Sequence, residues 1–480
     1  MPTFAEKAQD LAARTERNSA WRQKECFNLI PSEATPSLLV KMCEIADPCG
    51  RYAEHRTMKG EEVYFYQGTD FIRDVEVECQ REMAAFFGCS DIELRPISGQ
   101  MANECIFKGL VRFLNRGRAE GQLSRRIRLV FNNELIYGGH LSAQPMGALF
   151  NYVEEDPATG KERIVNLPVR KDNPYKPDPE ALGRLLEAHR PELIVFGKSM
   201  FLYREPVKYV ADIVKDWKDR PVLMFDMAHV LGLYGAFQAP FEEGADLVTG
   251  STHKTFFGTQ RGVVAGNIAK GSPLRPLWTE IKGRAFPGST SNHHLGTLLG
   301  LLMAAYEMNA FKAPFQAQVR ANAKALAKAL RSHGVPVEGD PADGYTETHQ
   351  VIIRVKAFGP GMEIARRLET NNVLTNYQAL PDDATFLESS GIRLGVQEMT
   401  RFGMVEKDFD TLAGLMADII IQGKPAGPAV AEYRKSFLKM GFTLPPAEAL
   451  PLAARILAAS IPDPGYAAAF VENLRRVAGA

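Results

Sequence analysis

Residues 245–255 read Ala-Asp-Leu-Val-Thr-Gly-Ser-Thr-His-Lys-Thr, a short apolar run that ends in small and polar residues and delivers Lys254 just beyond its end. Three other stretches have the same shape: IRLVFN (127–132), LIVFG (193–197) and VLMFD (222–226). Their apolarity is continuous rather than alternating, which fits strands buried on both faces in a parallel sheet covered by helices. Helical periodicity separates the runs, so the expected class is α/β. Ligands of such sheets bind at the carboxyl ends of the strands, and the residues after each run therefore carry the functional reading.

A lysine at a strand end is most often a solvated surface residue. Here Asp226 closes the preceding run, and neighbouring strand ends would bring a carboxylate and an amine into one cleft. That pair suits pyridoxal 5'-phosphate (PLP), which takes a lysine as Schiff-base partner and an acid that keeps its pyridine nitrogen protonated. Burial and nearby positive charge would lower the lysine's pKa and assist imine exchange. Ser98-Gly99-Gln100 precedes the helical run MANECIFKGL, whose free backbone N–H groups would take an anion such as the cofactor phosphate. Tyr137-Gly138-Gly139-His140 follows IRLVFN and sets an imidazole where it could stack on an aromatic cofactor.

Composition narrows the class. Lys+Arg 57 balance Asp+Glu 57 in 480 residues, which argues against nucleic acid as the main partner. No apolar run reaches the roughly 18–20 residues of a bilayer span, and the first residues lack an apolar signal core, so no membrane and a cytoplasmic location are expected. The six cysteines lie in the first quarter without a C-x-x-C pair, which fits reduced thiols and no metal cluster.

Along the chain, an N-terminal arm (1–60) with an amphipathic stretch at 5–25 leads through a turn-rich region to helical periodicity at 70–87. A large cofactor domain is expected over 61–293 and a smaller α+β domain over 294–423. The smaller unit opens with a long helical pattern and carries an alternating strand HQVIIRV (349–355), a helix EIARRLETNN and a strand at 391–395. KPAGPAV after Gly423 reads as a linker to a helical extension (424–480), expected to serve packing or oligomer contacts.

The segments NLIPSEATPS (28–37), RYAEHRTMKG (51–60), FYQGTDF (65–71), RPISGQMAN (95–103), GGHL (138–141), FDMAHVLGL (225–233), STHKT (251–255) and SGIRLGVQEMTRFG (390–403) identify the family. Over roughly 28–423 the chain resembles serine hydroxymethyltransferases, fold type I PLP enzymes. The resemblance implies a mostly parallel seven-stranded sheet with a smaller α+β C-terminal domain. It implies Lys254 as the internal aldimine lysine, Asp226 as partner of the pyridine nitrogen, His140 stacked on the ring and His229 beside its phenolic oxygen. Ser98, Gly99 and Gln100 would hold the phosphate, with Ser199, Ser251, His253 and Asn292 as further cofactor contacts. Arg393 would bind the substrate carboxylate, Ser32 and Tyr52 would position the amino acid, and Glu54 would act as acid/base. Tyr66 would reach in from a neighbouring subunit of a homodimer or homotetramer, and Arg261 matches an arginine near the site.

The activity implied is cleavage and formation of the Cα–Cβ bond of β-hydroxy amino acids through a glycine quinonoid, with tetrahydrofolate as possible co-substrate. Some stretches depart from that pattern. The loop Phe286-Pro287-Gly288-Ser289-Thr290-Ser291-Asn292 carries side chains where glycines are usual, and Asn376-Tyr377-Gln378 stands where an asparagine is common. THQV (348–351) and GVQEMTRFGM (395–404) look like the L-threonine transaldolase branch. A folate-independent aldolase or transaldolase that passes a glycyl unit to another aldehyde is therefore the alternative.

Overall fold

The computed structural model describes residues 1–59, 61–118 and 124–478. Gly60, the last residue of the 51–60 motif and the edge of the expected arm, lies outside the described residues, as do the last two of the extension. A seven-stranded sheet runs in the order Asp91–Glu93, Gly262–Gly266, Leu247–Ser251, Val222–Asp226, Leu193–Phe196, Val130–Asn132, Ile164–Asn166. The last five pair in parallel, and Gly262–Gly266 runs antiparallel to both of its neighbours. The sheet is thus mostly parallel, as expected.

The apolar runs are continuous because both faces of the sheet are covered. Leu193, Val195 and Met224 pack with Ile106, Leu110 and Ile281 of the Gly99–Leu114 and Arg275–Gly283 helices. The alternate residues Ile194, Phe196, Leu223 and Phe225 face a second core, which includes Met83, Leu186, Val210 and Leu301. Full burial of each such side chain contributes about 1.5–3 kcal/mol. Helix ends follow the sequence: Ser98 caps Gly99–Leu114 by accepting from Met101 N, and Gly88 ends Asp70–Phe87 in the left-handed conformation.

The helical pattern after His294 forms one 38-residue helix, Leu295–Ser332, with Pro314 inside it. It leads to an antiparallel sheet ordered Gln350–Arg354, Gly391–Gly395, Asn376–Gln378. Gln350–Arg354 is buried on both faces rather than alternately, because the strand is covered on both sides. The expected linker at 424–430 is shorter than its composition suggested: a helix starts at Gly427 with Pro at its first turn, where the missing N–H costs nothing. Among the described residues no helix is long and apolar enough to cross a membrane, and all six cysteines are free.

Candidate active site

The Val222–Asp226 and Leu247–Ser251 strands lie side by side in parallel, with Asp226 opposite Thr249, and Lys254 follows three residues past the second strand. The expected convergence of Asp226 and Lys254 is therefore a consequence of sheet register. Asp226 is only 2% exposed. Its Oδ2 accepts from His140 Nδ1 at 2.5 Å and Asn103 Nδ2 at 2.7 Å, and its Oδ1 accepts from Ala228 N at 3.0 Å. Burial opposes ionisation, but the His140 charge and these bonds hold the carboxyl below its usual value.

Lys254 Nζ lies 3.3 Å from His229 Nε2. Burial, helped by Arg393 and opposed by Asp226, lowers the amine to about 8. Burial and the positive charge of Lys254 also push His229 well below its ordinary value, so its ring is neutral. His229 Nδ1 is buried without a hydrogen-bond partner, as is His253 Nδ1. The His140 and His229 rings meet edge to face at 5.2 Å between centroids. An amine that sheds its proton near neutrality, beside a buried anionic carboxylate, fits the demands of PLP on its protein.

The expected phosphate turn sits at the start of the Gly99–Leu114 helix. A Cβ on Gly99 would fall 2.3 Å from Ser251 Oγ, so the glycine leaves room for the Ser251 hydroxyl to reach the turn. Ser98 and Ser251 flank this contact, whereas the Gln100 side chain is exposed. Ser199 Oγ donates to Gly138 O at 3.2 Å, and Ser199 O accepts from Arg393 Nη1 at 2.6 Å.

Arg393 is 7% exposed and burial lowers it to about 10. Nε donates to Asn376 Oδ1 at 3.3 Å, and among the described residues no carboxylate pairs with the guanidinium. A buried cation held by two neutral oxygens is ready for an anionic ligand. Beside it, a cavity of about 370 Å³ is lined by Leu135, His140, Leu141, Met146, Ser199 and Gln378. A second cavity of about 530 Å³ joins Ser32 to His253.

Other expected residues stand apart from this group within one chain. Tyr52 and Tyr66 are 51% and 43% exposed and contact each other, with ring centroids 5.4 Å apart. Glu54 accepts Phe65 N through its backbone oxygen at 3.0 Å. Asn292 Nδ2 donates to Arg51 O at 2.8 Å, tying the 286–292 loop to the segment that carries Tyr52. Arg261 is spent on the interior: it donates to His293 O, His294 O at 2.9 Å, Thr297 Oγ1 at 2.8 Å and Leu94 O at 2.5 Å.

His55, Glu76 and His293 bring three ligand atoms within 4.8 Å of one another, the spacing of a cation site. Arg261 Nη2 donates to His293 Nδ1 at 3.1 Å, which leaves the neutral ring's proton on Nε2 and no lone pair there for a cation. Glu76 instead pairs with His55 Nε2 at 3.0 Å.

Sequence reasoning passed over Asn103 and Thr249. Thr249 Oγ1 donates to Asn103 Oδ1 at 2.6 Å, which turns the amide so that Nδ2 faces Asp226. The available signal was an asparagine among the apolar positions Ala102, Ile106 and Leu110, because a buried amide must find partners.

Comparisons with known proteins agree with this geometry. The family profile for serine hydroxymethyltransferase matches residues 5–416. A serine hydroxymethyltransferase of Pyrobaculum islandicum is 37% identical over 435 residues, covering 89% of this chain and 93% of the relative. One of Archaeoglobus fulgidus is 36% identical over 405 residues, covering 84% of each chain. Among solved structures, an L-threonine transaldolase from Pseudomonas fluorescens in its internal aldimine state shares the fold, with TM-score 0.79, 24% identity and coverage of 95% of this chain and 98% of that one. The chain belongs to the serine hydroxymethyltransferase family of PLP-dependent enzymes.

Proposed function

We propose that the protein exchanges serine and glycine, breaking and forming the Cα–Cβ bond of β-hydroxy amino acids with tetrahydrofolate as one-carbon acceptor. The observation that carries this reading is Arg393, a buried guanidinium without a carboxylate partner among the described residues, which shares a site with Lys254 and Asp226. PLP, when bound, draws electrons from the bond being broken. Lys254 would hold the cofactor, with Asp226 at its ring nitrogen, His140 against its face and His229 at its oxygen. Ser98, Gly99, Gln100, Ser199, Ser251, His253 and Asn292 would complete the cofactor site.

Arg393 and Ser32 would orient the amino acid by its carboxylate, Tyr52 would help to position it, and Glu54 would move the β-hydroxyl proton. The exposure of Tyr52 and Tyr66 supports a homodimer or homotetramer in which Tyr66 completes the partner's site; a cytoplasmic location is part of the same proposal. The division into arm (1–60), cofactor domain (61–293), small domain (294–423) and extension (424–480) belongs to the same proposal. A second reading, transfer of the glycyl unit to another aldehyde without folate, is favoured by the apolar Leu135, Leu141 and Met146 lining the cavity next to His140.

Glycine release from L-serine, with and without tetrahydrofolate, tests the first reading. Release that requires tetrahydrofolate supports it. Transfer from L-threonine to an aromatic aldehyde, indifferent to folate, supports the second, and loss of both activities refutes the site.

A further inference from the structure

Two motifs far apart in sequence meet at the turn that carries Ser32. Gln397 is 1% exposed, and its Nε2 donates to Ile30 O at 2.9 Å and Glu33 O at 2.6 Å, bracketing Pro31 and Ser32. His349, fully buried, donates from Nε2 to Pro31 O at 3.1 Å. Gly395 N donates to Leu29 O at 2.8 Å. A Cβ on Gly395 would lie 2.5 Å from Pro31 Cα, so the turn rests directly on the strand. Glu398 Oε2 accepts Thr35 N at 2.9 Å and Asn28 Nδ2 at 3.2 Å, fixing both ends of the segment.

The strand beneath is Gly391–Gly395, which also carries Arg393. Every carbonyl from Leu29 to Pro31, and that of Glu33, is thus occupied by a donor from the Gly391–Gly395 strand, from His349 just ahead of the Gln350–Arg354 strand, or from Gln397. Ser32 alone within the turn finds no hydrogen-bond partner among the described residues. A rigid backbone around one free hydroxyl is how a protein aims a ligand contact.

We propose that Gln397 and His349 are positioning residues for the substrate: they lock the 30–33 turn to the Arg393 strand so that Ser32 Oγ and the guanidinium meet one carboxylate. The proposal rests on the reading above of Arg393 and Ser32 as the carboxylate site. A turn free to move would weaken that contact while leaving Lys254, Asp226 and His140, which stand on the large sheet's strand ends and the turn after Val130–Asn132, in place.

Titration of the PLP-loaded enzyme with glycine, followed by the change in its visible spectrum, tests this in wild type, Ser32→Ala, Gln397→Leu and the double variant. Each single change is expected to weaken glycine binding about tenfold with the cofactor band of free enzyme unchanged. The double variant is expected within about twofold of the weaker single, because Gln397 acts through Ser32. In Gln397→Leu the KM for serine should rise with kcat nearly unchanged. His349→Leu, expected to behave as Gln397→Leu does, replaces it if that variant fails to fold with its cofactor. Multiplying effects in the double variant, or unaltered glycine binding in the Gln397 or His349 variant beside a weakened Ser32→Ala, would overturn the proposal alone. Unaltered binding in Ser32→Ala overturns the carboxylate reading and the proposal together.

Discussion

His140 Nδ1 donates to Asp226 Oδ2 across 2.5 Å, a charge-assisted bond that joins the turn after the Val130–Asn132 strand to the end of Val222–Asp226. The bond fixes which atoms of each residue face the ligand, and it keeps the carboxylate ionised although it is buried. Asp226→Asn preserves shape and removes the charge. We expect kcat to fall about a hundredfold to a thousandfold with cofactor still bound, measured by steady-state kinetics on enzyme of known PLP content. A loss smaller than tenfold would show that the charge is dispensable.

Asn103 and Thr249 act in series on Asp226. Asn103→Leu removes one donor to the carboxylate, and kcat should drop about tenfold. Thr249→Val should cost less, and should cost nothing further in the Asn103→Leu background, since its hydroxyl reaches Asp226 only through that amide. A double-mutant cycle on kcat checks the coupling.

The amine of Lys254 titrates near 8, below its ordinary value because of burial and the Arg393 charge. Only the neutral amine can attack the cofactor aldehyde, so PLP uptake by apoprotein should accelerate as pH rises and level off above about 8. Arg393→Met removes positive charge, so the same inflection should move to higher pH. Stopped-flow absorbance across pH 6 to 10 reads both, on the ordinary range of a lysine in such a site.

Gly99→Ala tests the phosphate turn by geometry alone. The new methyl would sit 2.3 Å from Ser251 Oγ, so the hydroxyl of Ser251 must turn away from the phosphate turn or the helix start must shift. PLP affinity should weaken about tenfold or more, read by equilibrium dialysis, while the far-UV spectrum stays native.

The Gly427–Arg434 helix ties down the stretch that leads to Ser32. Arg434, 1% exposed, donates to Cys26 O at 2.8 Å, Gln23 O at 2.9 Å and Phe437 O. Arg434→Met leaves three carbonyls without their donor and should cost about 2–4 kcal/mol in denaturant unfolding.

Much of this arrangement was legible in the chain. VLMFD matched its strand residue for residue, as did the helix at 70–87 and the strand at 391–395, because each has a periodicity and end signals of its own. Lys254 and Asp226 could be paired because consecutive parallel strands set their ends side by side. What escaped was non-local. Glu398 and Asn28 are in contact although 370 residues apart, and nothing in either motif names the other. The alternation of HQVIIRV misled because side-chain polarity does not reveal that Gln350 is buried through bonds to Phe201 N and Ser199 O. Asn103 was hidden by its place in a helix whose face otherwise reads as core.

The residues gathered around Lys254 serve one reaction, cleavage of the Cα–Cβ bond of a β-hydroxy amino acid. Its most direct test is glycine released from L-serine and from L-threonine by PLP-loaded enzyme, with and without tetrahydrofolate, in wild type and Lys254→Ala. Glycine from at least one of these amino acids in the wild type, and none above background in Lys254→Ala, is the predicted result. Absence of glycine from both amino acids in the wild type, or an undiminished rate in Lys254→Ala, would contradict it.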